Sequence, residues 1–205
     1  MSWKVRKFST LAAETKHGIV GGPFGSKLTG KDYVEDGVPV IRGANMSGGR
    51  YVSETGFVFV SDAKKQKDLK SNLARPGDIV FTQRGTLGQV AIIPDDAPHK
   101  EYVVSQSQMK ATLDQTKADV NFYYYYFSSK KVVDTILNMT SSSGVPHINL
   151  GTLRDFEVPV PDLPTQERIA AILSAYDDLI ENNRRRIALL EQAARLLYRE
   201  WFVHF

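Results

Sequence analysis

The first part of the chain alternates short apolar runs with glycine- and proline-rich turns. Runs of β-branched and aromatic residues predict strands at 38–41, 57–60, 78–81, 90–93 and 102–105. Two other stretches predict helices: 62–74, with Ser61 as its N-cap, and 119–138, whose aromatic residues we interpret as core rather than as a base-stacking platform. The pattern predicts a globular domain of the α+β (α/β mixed) class over residues 1–158.

The pattern changes sharply after this domain. A proline-rich stretch, residues 159–164, predicts an extended connector, because proline fixes φ and lacks an N–H donor. No proline or glycine follows it. We therefore predict one long helix over residues 165–205, with Thr165 as its N-cap.

This helix has the clearest periodicity in the sequence. Apolar residues recur at alternating steps of four and three, which is the heptad spacing of a coiled coil. The predicted helix-pairing seam consists of Ile169, Leu173, Tyr176, Ile180, Asn183, Ile187, Leu190, Ala194, Leu197 and Trp201. A lone helix would leave this stripe in water, so we expect a partner helix; the alternative is that the helix folds back over its own domain.

Composition and charge narrow the class of protein. The chain has 42% hydrophobic and 24% charged residues and no cysteine, which excludes disulfides and thiolate metal sites and favours a reducing cytoplasm. No signal peptide or membrane span is apparent in the sequence. The formal net charge of +3 lies entirely in the first 164 residues, so any attraction for phosphate groups is expected there.

The glycine-rich stretch GGPFGSKL, residues 21–28, superficially resembles a phosphate-binding loop. A nucleotide loop requires Gly-Lys-Ser/Thr at the start of a helix, whereas here the order is Gly-Ser-Lys and TGKDY follows. We therefore expect no nucleotide site here, and a nucleotide-dependent enzyme built around this loop stays only as a rival interpretation. The remaining readings are a loop that grips a nucleic-acid backbone through Ser26 and Lys27, and an ordinary tight turn.

Several other polar loops carry side chains suited to reading DNA. Arginine and glutamine form paired hydrogen bonds with guanine and adenine edges. The candidate DNA contacts, besides Ser26 and Lys27, are Arg42, Asn45, Gln83, Arg84, Thr86, Ser105, Gln106, Gln108, Ser142, Ser143 and His147. No nucleophile motif, metal-ligand spacing or cofactor loop is apparent, so the sequence indicates a non-catalytic binding protein.

The chain resembles the specificity subunits of type I restriction-modification enzymes. The resemblance rests on GGPFGSKL, GVPVIRGANM and RPGDIVFTQRGTLGQVAII, and above all on a PxPxLxxQ connector followed by IxxILxxxDxxIExN at the start of the helix. It implies a target recognition domain that binds double-stranded DNA sequence-specifically, followed by a spacer helix. It also implies a prokaryotic, cytoplasmic scaffold for methyltransferase and restriction subunits. Those partners would use S-adenosylmethionine, and ATP with magnesium; no cofactor is expected in this chain.

The chain departs from the family pattern in one respect. Such subunits carry two recognition domains and two spacer helices, whereas this sequence has one of each. Whether it is naturally half-length or truncated stays open. We expect an antiparallel homodimer through the helix that reads an inverted repeat. The alternative is a coiled-coil adaptor whose globular head binds protein rather than DNA.

Overall fold

A computed structural model describes residues 3–47, 49–139 and 147–203. A mixed α and β head is followed by one long helix. The strands are β1 Lys4–Lys7, β2 Ile19–Gly21, β3 Tyr33–Val34, β4 Val38–Ile41, β5 Val58–Val60, β6 Leu73–Ala74, β7 Ile79–Thr82, β8 Val90–Ile92, β9 Tyr102–Val104, β10 Gln108–Ala111 and β11 Glu157–Val160. The helices are α1 Asp62–Lys64, α2 Val120–Ser128, α3 Lys130–Asn138, α4 Leu150–Asp155 and α5 Leu163–Phe202.

The head contains two main sheets. One has the order β2-β10-β7-β8 and is antiparallel throughout, and the other has the order β3-β5-β4-β9-β6, in which β4 and β9 run parallel. Both residues 38–41 and residues 79–82 are buried along their whole length, as expected for continuous apolar runs. Phe8, Phe81 and Phe127 pack edge to face between the first sheet and α2.

All five strands predicted from the sequence are present, each within one residue of the expected bounds. The aromatic residues of the predicted helix 119–138 are core residues, as expected: Phe122, Tyr123, Tyr124 and Phe127 are buried. This helix is not continuous, however. Ser129 has extended backbone angles and separates α2 from α3.

The predicted helix 62–74 is largely wrong. Ser61 is its N-cap, accepting a hydrogen bond from the Lys64 amide at 3.2 Å. Only one α-helical turn follows, and a wider turn at Lys65–Leu69 and a 3₁₀ turn complete the segment. The last two residues form β6, which pairs with β9. The pairing of β6 with a distant strand outweighs the helical spacing of these residues.

The connector is also more structured than expected. Its first residues belong to β11, which pairs antiparallel with β1 at the start of the chain. The helix begins at Leu163 rather than after Thr165, with Asp162 at the N-cap. Pro164 is tolerated because the first turn of a helix needs no partner for its N–H groups.

Helix α5 leaves the head after about four turns. Gln166 and Ala170 are buried at its base, whereas every residue from Asp178 to Val203 is exposed. At ~1.5 Å per residue the 40-residue helix is about 60 Å long. Folding back over the head is therefore wrong for the described chain. None of the described helices combines the length and apolarity needed to cross a membrane.

Candidate nucleic-acid interface

The parallel pairing of β4 and β9 brings two predicted loops to one edge of the sheet. Because the two strands run in the same direction, the segments that follow them, 42–45 and 105–108, leave the sheet side by side. The Ser105 amide donates to the Ile41 carbonyl at 3.0 Å and holds the two exits together.

The glycine-rich loop 21–28 lies directly on the 105–108 turn. The Gly22 amide donates to the Gln108 carbonyl at 2.8 Å, and the Gln106 amide nitrogen Nε2 donates to the carbonyls of Gly25 and Leu28 at 2.7 and 3.1 Å. Gly22 permits this approach, since a Cβ there would lie 1.9 Å from the Ser105 carbonyl oxygen. The loop is thus fixed in place by its neighbour.

Loop 83–88 joins the same group. The amides of Gln83 and Arg84 both donate to the Ser107 carbonyl, at 2.7 and 3.2 Å, and Arg84 forms an isolated antiparallel bridge with His147. Segments far apart in the sequence therefore converge. We name this group the loop cluster: residues 21–28, 83–88, 105–108 and His147.

The loop cluster presents polar and cationic side chains to solvent. Its exposed candidates are Ser26, Lys27, Arg84, Thr86, Gln106 and His147. Within the described ranges, neither Lys27 nor Arg84 forms an ion pair, so their charges are not neutralised by the fold. Such a surface attracts phosphate groups. Phe24, which is 79% exposed and follows the buried Pro23, is part of this surface but was not among the sequence candidates.

Three sequence candidates are buried in this conformation rather than presented to solvent. Asn45 is 1% exposed; its Oδ1 accepts from the Arg42 amide at 3.0 Å and its Nδ2 donates to the Thr55 carbonyl at 3.0 Å. Gln108 is fully buried in β10 and accepts a hydrogen bond from the Ser105 hydroxyl. Gln83 is buried beside Gly21. Asparagine and glutamine satisfy buried backbone groups as readily as they read bases.

Of the remaining candidates, two are half-buried and two lie outside the described residues. Arg42 is half-buried and donates to the Gly56 carbonyl at 3.2 Å, and Ser105 is half-buried with its hydroxyl bonded to Gln108. Ser142 and Ser143 lie outside the described residues. For the exposed residues and for Arg42, contact with DNA stays a prediction.

The glycine-rich loop lacks the helix that a nucleotide-binding loop requires. Residues 25–27 of the glycine-rich loop form a single 3₁₀ turn rather than the start of an α-helix. Across residues 3–47, 49–139 and 147–203, no three histidine or carboxylate side chains lie together in a way that could hold a metal ion.

The seam of α5 is uncovered over most of its length. Tyr176, Ile180, Ile187, Leu190, Leu197 and Trp201 are all exposed by roughly half or more. Ile169 differs, because it packs against the core of the head. The apolar surface is also wider than the seam: Ile172, Leu179, Leu189, Leu196, Tyr198, Phe202 and Val203 are exposed as well. The exposed apolar surface of α5 is therefore larger than the seam predicted from the sequence.

Two sets of contacts attach α5 to the head, and the sequence candidates included neither. At the base, Gln166 is fully buried: its Oε1 accepts from the Asp119 amide at 2.9 Å, and its Nε2 donates to the carbonyls of Lys117 and Pro161 at 3.1 and 2.9 Å. The PxPxLxxQ pattern contains this glutamine. The pattern marked its position but not its role.

The second set lies three turns further along the helix, and we call it the junction: Arg50, Tyr125, Asp177 and Asp178. Arg50 donates from Nη1 to the Tyr125 hydroxyl at 3.2 Å and from Nη2 to Asp178 Oδ1 at 3.1 Å. The Tyr125 hydroxyl donates to Asp177 Oδ2 at 2.7 Å. Burial raises the pKa of Tyr125, which keeps its hydroxyl protonated as a donor.

The chain is similar in sequence to proteins of one family. A family model described as "Type I restriction modification DNA specificity domain" matches residues 24–192. The type I restriction enzyme MjaIX specificity subunit of Methanocaldococcus jannaschii is 25% identical over 203 residues, covering 99% of this chain and 44% of that protein. The HindI specificity subunit of Haemophilus influenzae is 26% identical over 149 residues, covering 71% of this chain and 32% of that protein. The chain thus spans less than half the length of these relatives.

Solved structures share the fold. The type I restriction-modification S subunit from M. genitalium superimposes with a TM-score of 0.59 at 19% identity, covering 98% of this chain and 44% of that one. The HsdS subunit from Thermoanaerobacter tengcongensis gives a TM-score of 0.58 at 14% identity, covering 90% and 40%. A chain from a structure of a type I system, described for complex assembly and conformational transition, gives 0.67 at 17% identity, covering 97% and 44%.

Proposed function

Because this chain belongs to the family of type I restriction-modification DNA specificity domains, we propose that its head reads one half of a bipartite target in double-stranded DNA. The observation that supports this is the loop cluster, where Lys27 and Arg84 project from fixed loops without a carboxylate partner within the described ranges. Lys27 sits on a loop whose exposed backbone suits phosphate, and Arg84 is the side chain suited to a guanine edge.

In this proposal the chain performs no chemistry. Methyltransferase subunits bring S-adenosylmethionine, restriction subunits bring ATP with magnesium, and the assembly works in the cytoplasm where it meets DNA. The apolar surface outside the seam of α5, which includes Ile172, Leu179 and Leu196, is the part of the helix that suits such partner subunits.

The experiment on DNA binding compares two variants with matched controls. The parent chain is used to select sequences from a pool of duplexes with a randomised central segment, and binding is measured by fluorescence anisotropy. Arg84→Ala should relax the selected bases, whereas Lys27→Ala should weaken binding to every duplex and lower the salt slope by about 1. The controls are Arg75→Ala and Lys117→Ala, whose charges are already paired with carboxylates. A parent chain that binds no duplex would refute the proposal and favour the protein-binding adaptor.

We also propose that the uncovered seam pairs with a second copy in antiparallel orientation. Residues equidistant from a two-fold axis face each other in such a pair. With the axis at Arg185, the exposed seam residues face one another: Asn183 faces Ile187, Ile180 faces Leu190, Tyr176 faces Ala194 and Leu173 faces Leu197. Ile169, opposite Trp201 in this register, already packs against the core of the head. The large Tyr176 opposite the small Ala194 fits the even packing that a coiled coil requires.

This register also gives a plausible spacing between the heads. The head contacts α5 between Gln166 and Asp178, and the middle of that segment, Ile172, lies 13 residues from Arg185. At ~1.5 Å per residue the two heads are roughly 39 Å apart along the rod. Two major-groove sites one helical turn apart are about 34 Å from each other. An antiparallel pair therefore suits an inverted repeat with a short gap.

Spin labels test the register directly, since the chain has no native cysteine. Arg186→Cys and Glu200→Cys occupy equivalent heptad positions on the exposed helix. In the antiparallel pair the two Arg186 labels are close together, whereas the two Glu200 labels are separated by about 45 Å along the rod. A parallel pair would give the same short distance for both, and a strict monomer would give none. Either result would refute the antiparallel pair without affecting DNA binding.

A further inference from the structure

The head holds α5 at two separate points, Gln166 at the base and the junction further along the helix. Gln166 and the junction are separated by 11–12 residues, or about 17 Å of helix at ~1.5 Å per residue. Two anchors at separate points on a rod fix its direction, whereas one anchor allows it to pivot. Beyond the junction the helix and head diverge and leave a cleft lined by Gly49, Tyr124, Ile180 and Glu181.

We propose that Arg50 is a positioning residue that fixes the angle at which α5 leaves the head, and thereby the gap length that a pair of heads tolerates between half-sites. The proposal rests on the proposed function for its consequence on DNA. Its structural part, that Arg50 and Tyr125 hold the angle of the helix, stands independently.

Arg50 is suited to this role by its shape and burial. Its guanidinium is planar and carries several donors, so it bonds Tyr125 and Asp178 at the same time. It also stacks over the Tyr51 ring, 4.6 Å from the ring centre, and only 11% of its side chain is exposed. Burial alone would lower the pKa of Arg50, but the Tyr125 hydroxyl and the neighbouring Asp178 raise it, so the side chain stays charged.

Tyr125 connects this charge to the helix at a second point. Its hydroxyl accepts from Arg50, donates to Asp177 and lies 3.3 Å from the Ser174 hydroxyl oxygen. Asp177 and Asp178 are adjacent residues that point to different partners, so the two bonds oppose rotation of the helix about its own axis as well as pivoting. A single surface ion pair would not do this, because exposed pairs contribute little.

The length of the helix amplifies any change at the junction. Gln192 lies 26 residues beyond Gln166, so a pivot of 10° about the base would move it by about 7 Å at ~1.5 Å rise per residue. The two-fold axis proposed at Arg185 would move by about 5 Å relative to each head, by the same estimate. This displacement exceeds the roughly 3.4 Å that one base pair spans, so a pivot of this size changes where and at what angle each head meets the DNA.

The structural test measures one intrachain distance. Spin labels are placed at Asp96→Cys on the head and Gln192→Cys on the helix, both exposed sites, and labelled chain is diluted into an excess of unlabelled chain. We expect a narrow distribution for the parent and a shift or broadening of several ångströms for Arg50→Ala and for Tyr125→Phe. Arg50→Lys, which cannot bond both partners at once, should give an intermediate width. Arg75→Ala, at a surface ion pair with Glu101, is the control and should match the parent.

Tyr125→Phe removes one hydroxyl and keeps the ring, so it keeps the proposal testable if Arg50→Ala fails to fold. The circular dichroism and melting temperature of each variant are recorded alongside. An unchanged distance distribution in folded Tyr125→Phe and Arg50→Lys would overturn the structural part of the proposal.

The functional test repeats the selection from randomised duplexes. We expect Arg50→Lys and Tyr125→Phe to recover the same half-site bases as the parent but a broader or shifted set of gap lengths. An identical single gap length in the variants would overturn the role of Arg50 in target spacing. If the parent recovers no sequence, the proposed function fails, and the distance measurement still decides whether the junction fixes the helix.

Discussion

Replacing Gln166 with leucine removes the polar group that attaches the base of α5 to the head while roughly keeping the side-chain volume. Gln166 is fully buried and makes three hydrogen bonds, all to backbone groups: the Asp119 amide, the Lys117 carbonyl and the Pro161 carbonyl. Asp119 is also the N-cap of α2, where its Oδ1 accepts from the Phe122 amide at 2.7 Å. The substitution therefore disturbs the start of two helices at once.

The expected cost follows from these three bonds. Each intramolecular hydrogen bond contributes about 0.5–1.5 kcal/mol net, and a buried group that loses its partner costs about 1–3 kcal/mol. We expect Gln166→Leu to lower the free energy of unfolding by about 3 kcal/mol. This is the middle of the range for losing three net hydrogen bonds, and the low end of the cost of leaving three buried backbone groups unpaired. For a chain of this size the melting temperature should fall by roughly 6–12 °C.

Urea denaturation followed by circular dichroism measures this change. Gln192→Leu is the matched control, because Gln192 is exposed on the same helix and its replacement should change the free energy of unfolding by less than about 0.5 kcal/mol. A Gln166→Leu chain as stable as the control would refute the assignment of Gln166 as the base anchor.

Gln166→Glu adds a test with a definite pH dependence. A carboxylate at this position would face the Lys117 and Pro161 carbonyl oxygens, so its folded-state pKa would be raised above the ordinary value of about 4.3. A raised pKa gives stability that is present below the unfolded value and lost as pH rises through the folded value. Gln166→Glu should approach the parent below about pH 4 and be least stable at neutral pH. The opposite trend would mean that the side chain does not face these carbonyls.

Three further predictions concern pairing, the core and acid stability. Leu190→Asp on the seam should abolish self-association in light scattering at micromolar concentration, because it buries an unpaired charge; a dimer that persists would exclude the seam. Lys110→Met should lower the free energy of unfolding by about 3–5 kcal/mol in urea denaturation, because it removes the cationic partner, 3.2 Å away, of the buried Asp78 carboxylate. A smaller loss than in an exposed-pair variant would contradict this. Hydrogen bonds from Lys117 and Thr116 together lower the pKa of Asp114 to about 2. The stability that these contacts give is present above the ordinary aspartate pKa and should be lost between about pH 4 and pH 2. Lys117→Ala removes the largest of these contacts and should make that part of the pH–stability curve shallower, as followed by urea denaturation.

The sequence predicted those features that depend on local periodicity. Apolar runs bounded by turn residues identified five strands, and the heptad spacing identified the long helix and its exposed seam. The quoted motifs led to the family that the comparison shows. These predictions succeed because a strand buried on both faces appears as a continuous apolar run, and a repeat of 3.5 or 3.6 residues records which face of a helix is apolar.

The sequence failed where a residue's environment depends on distant parts of the chain. Residues 62–74 carry helical spacing, yet their last residues pair with β9, which lies about 30 positions later. Asn45 and Gln108 have the composition of base-reading loops, but Asn45 bonds the Thr55 carbonyl and Gln108 bonds the Ser105 hydroxyl, and both side chains are buried by parts of the fold that no local pattern identifies. A polar side chain can bond the fold or a ligand, and only its neighbours decide which.

What the sequence by itself determined is the mixed head, the long helix with its unpaired seam, and the family. What only the tertiary structure decided is which polar residues remain at the surface and which residues hold the helix. The parallel pairing of β4 with β9 assembles the loop cluster, and the docking of α2 against α5 assembles the junction of Arg50 with Tyr125. Both arise from contacts between residues more than 45 positions apart, and such contacts leave no periodic trace in the sequence.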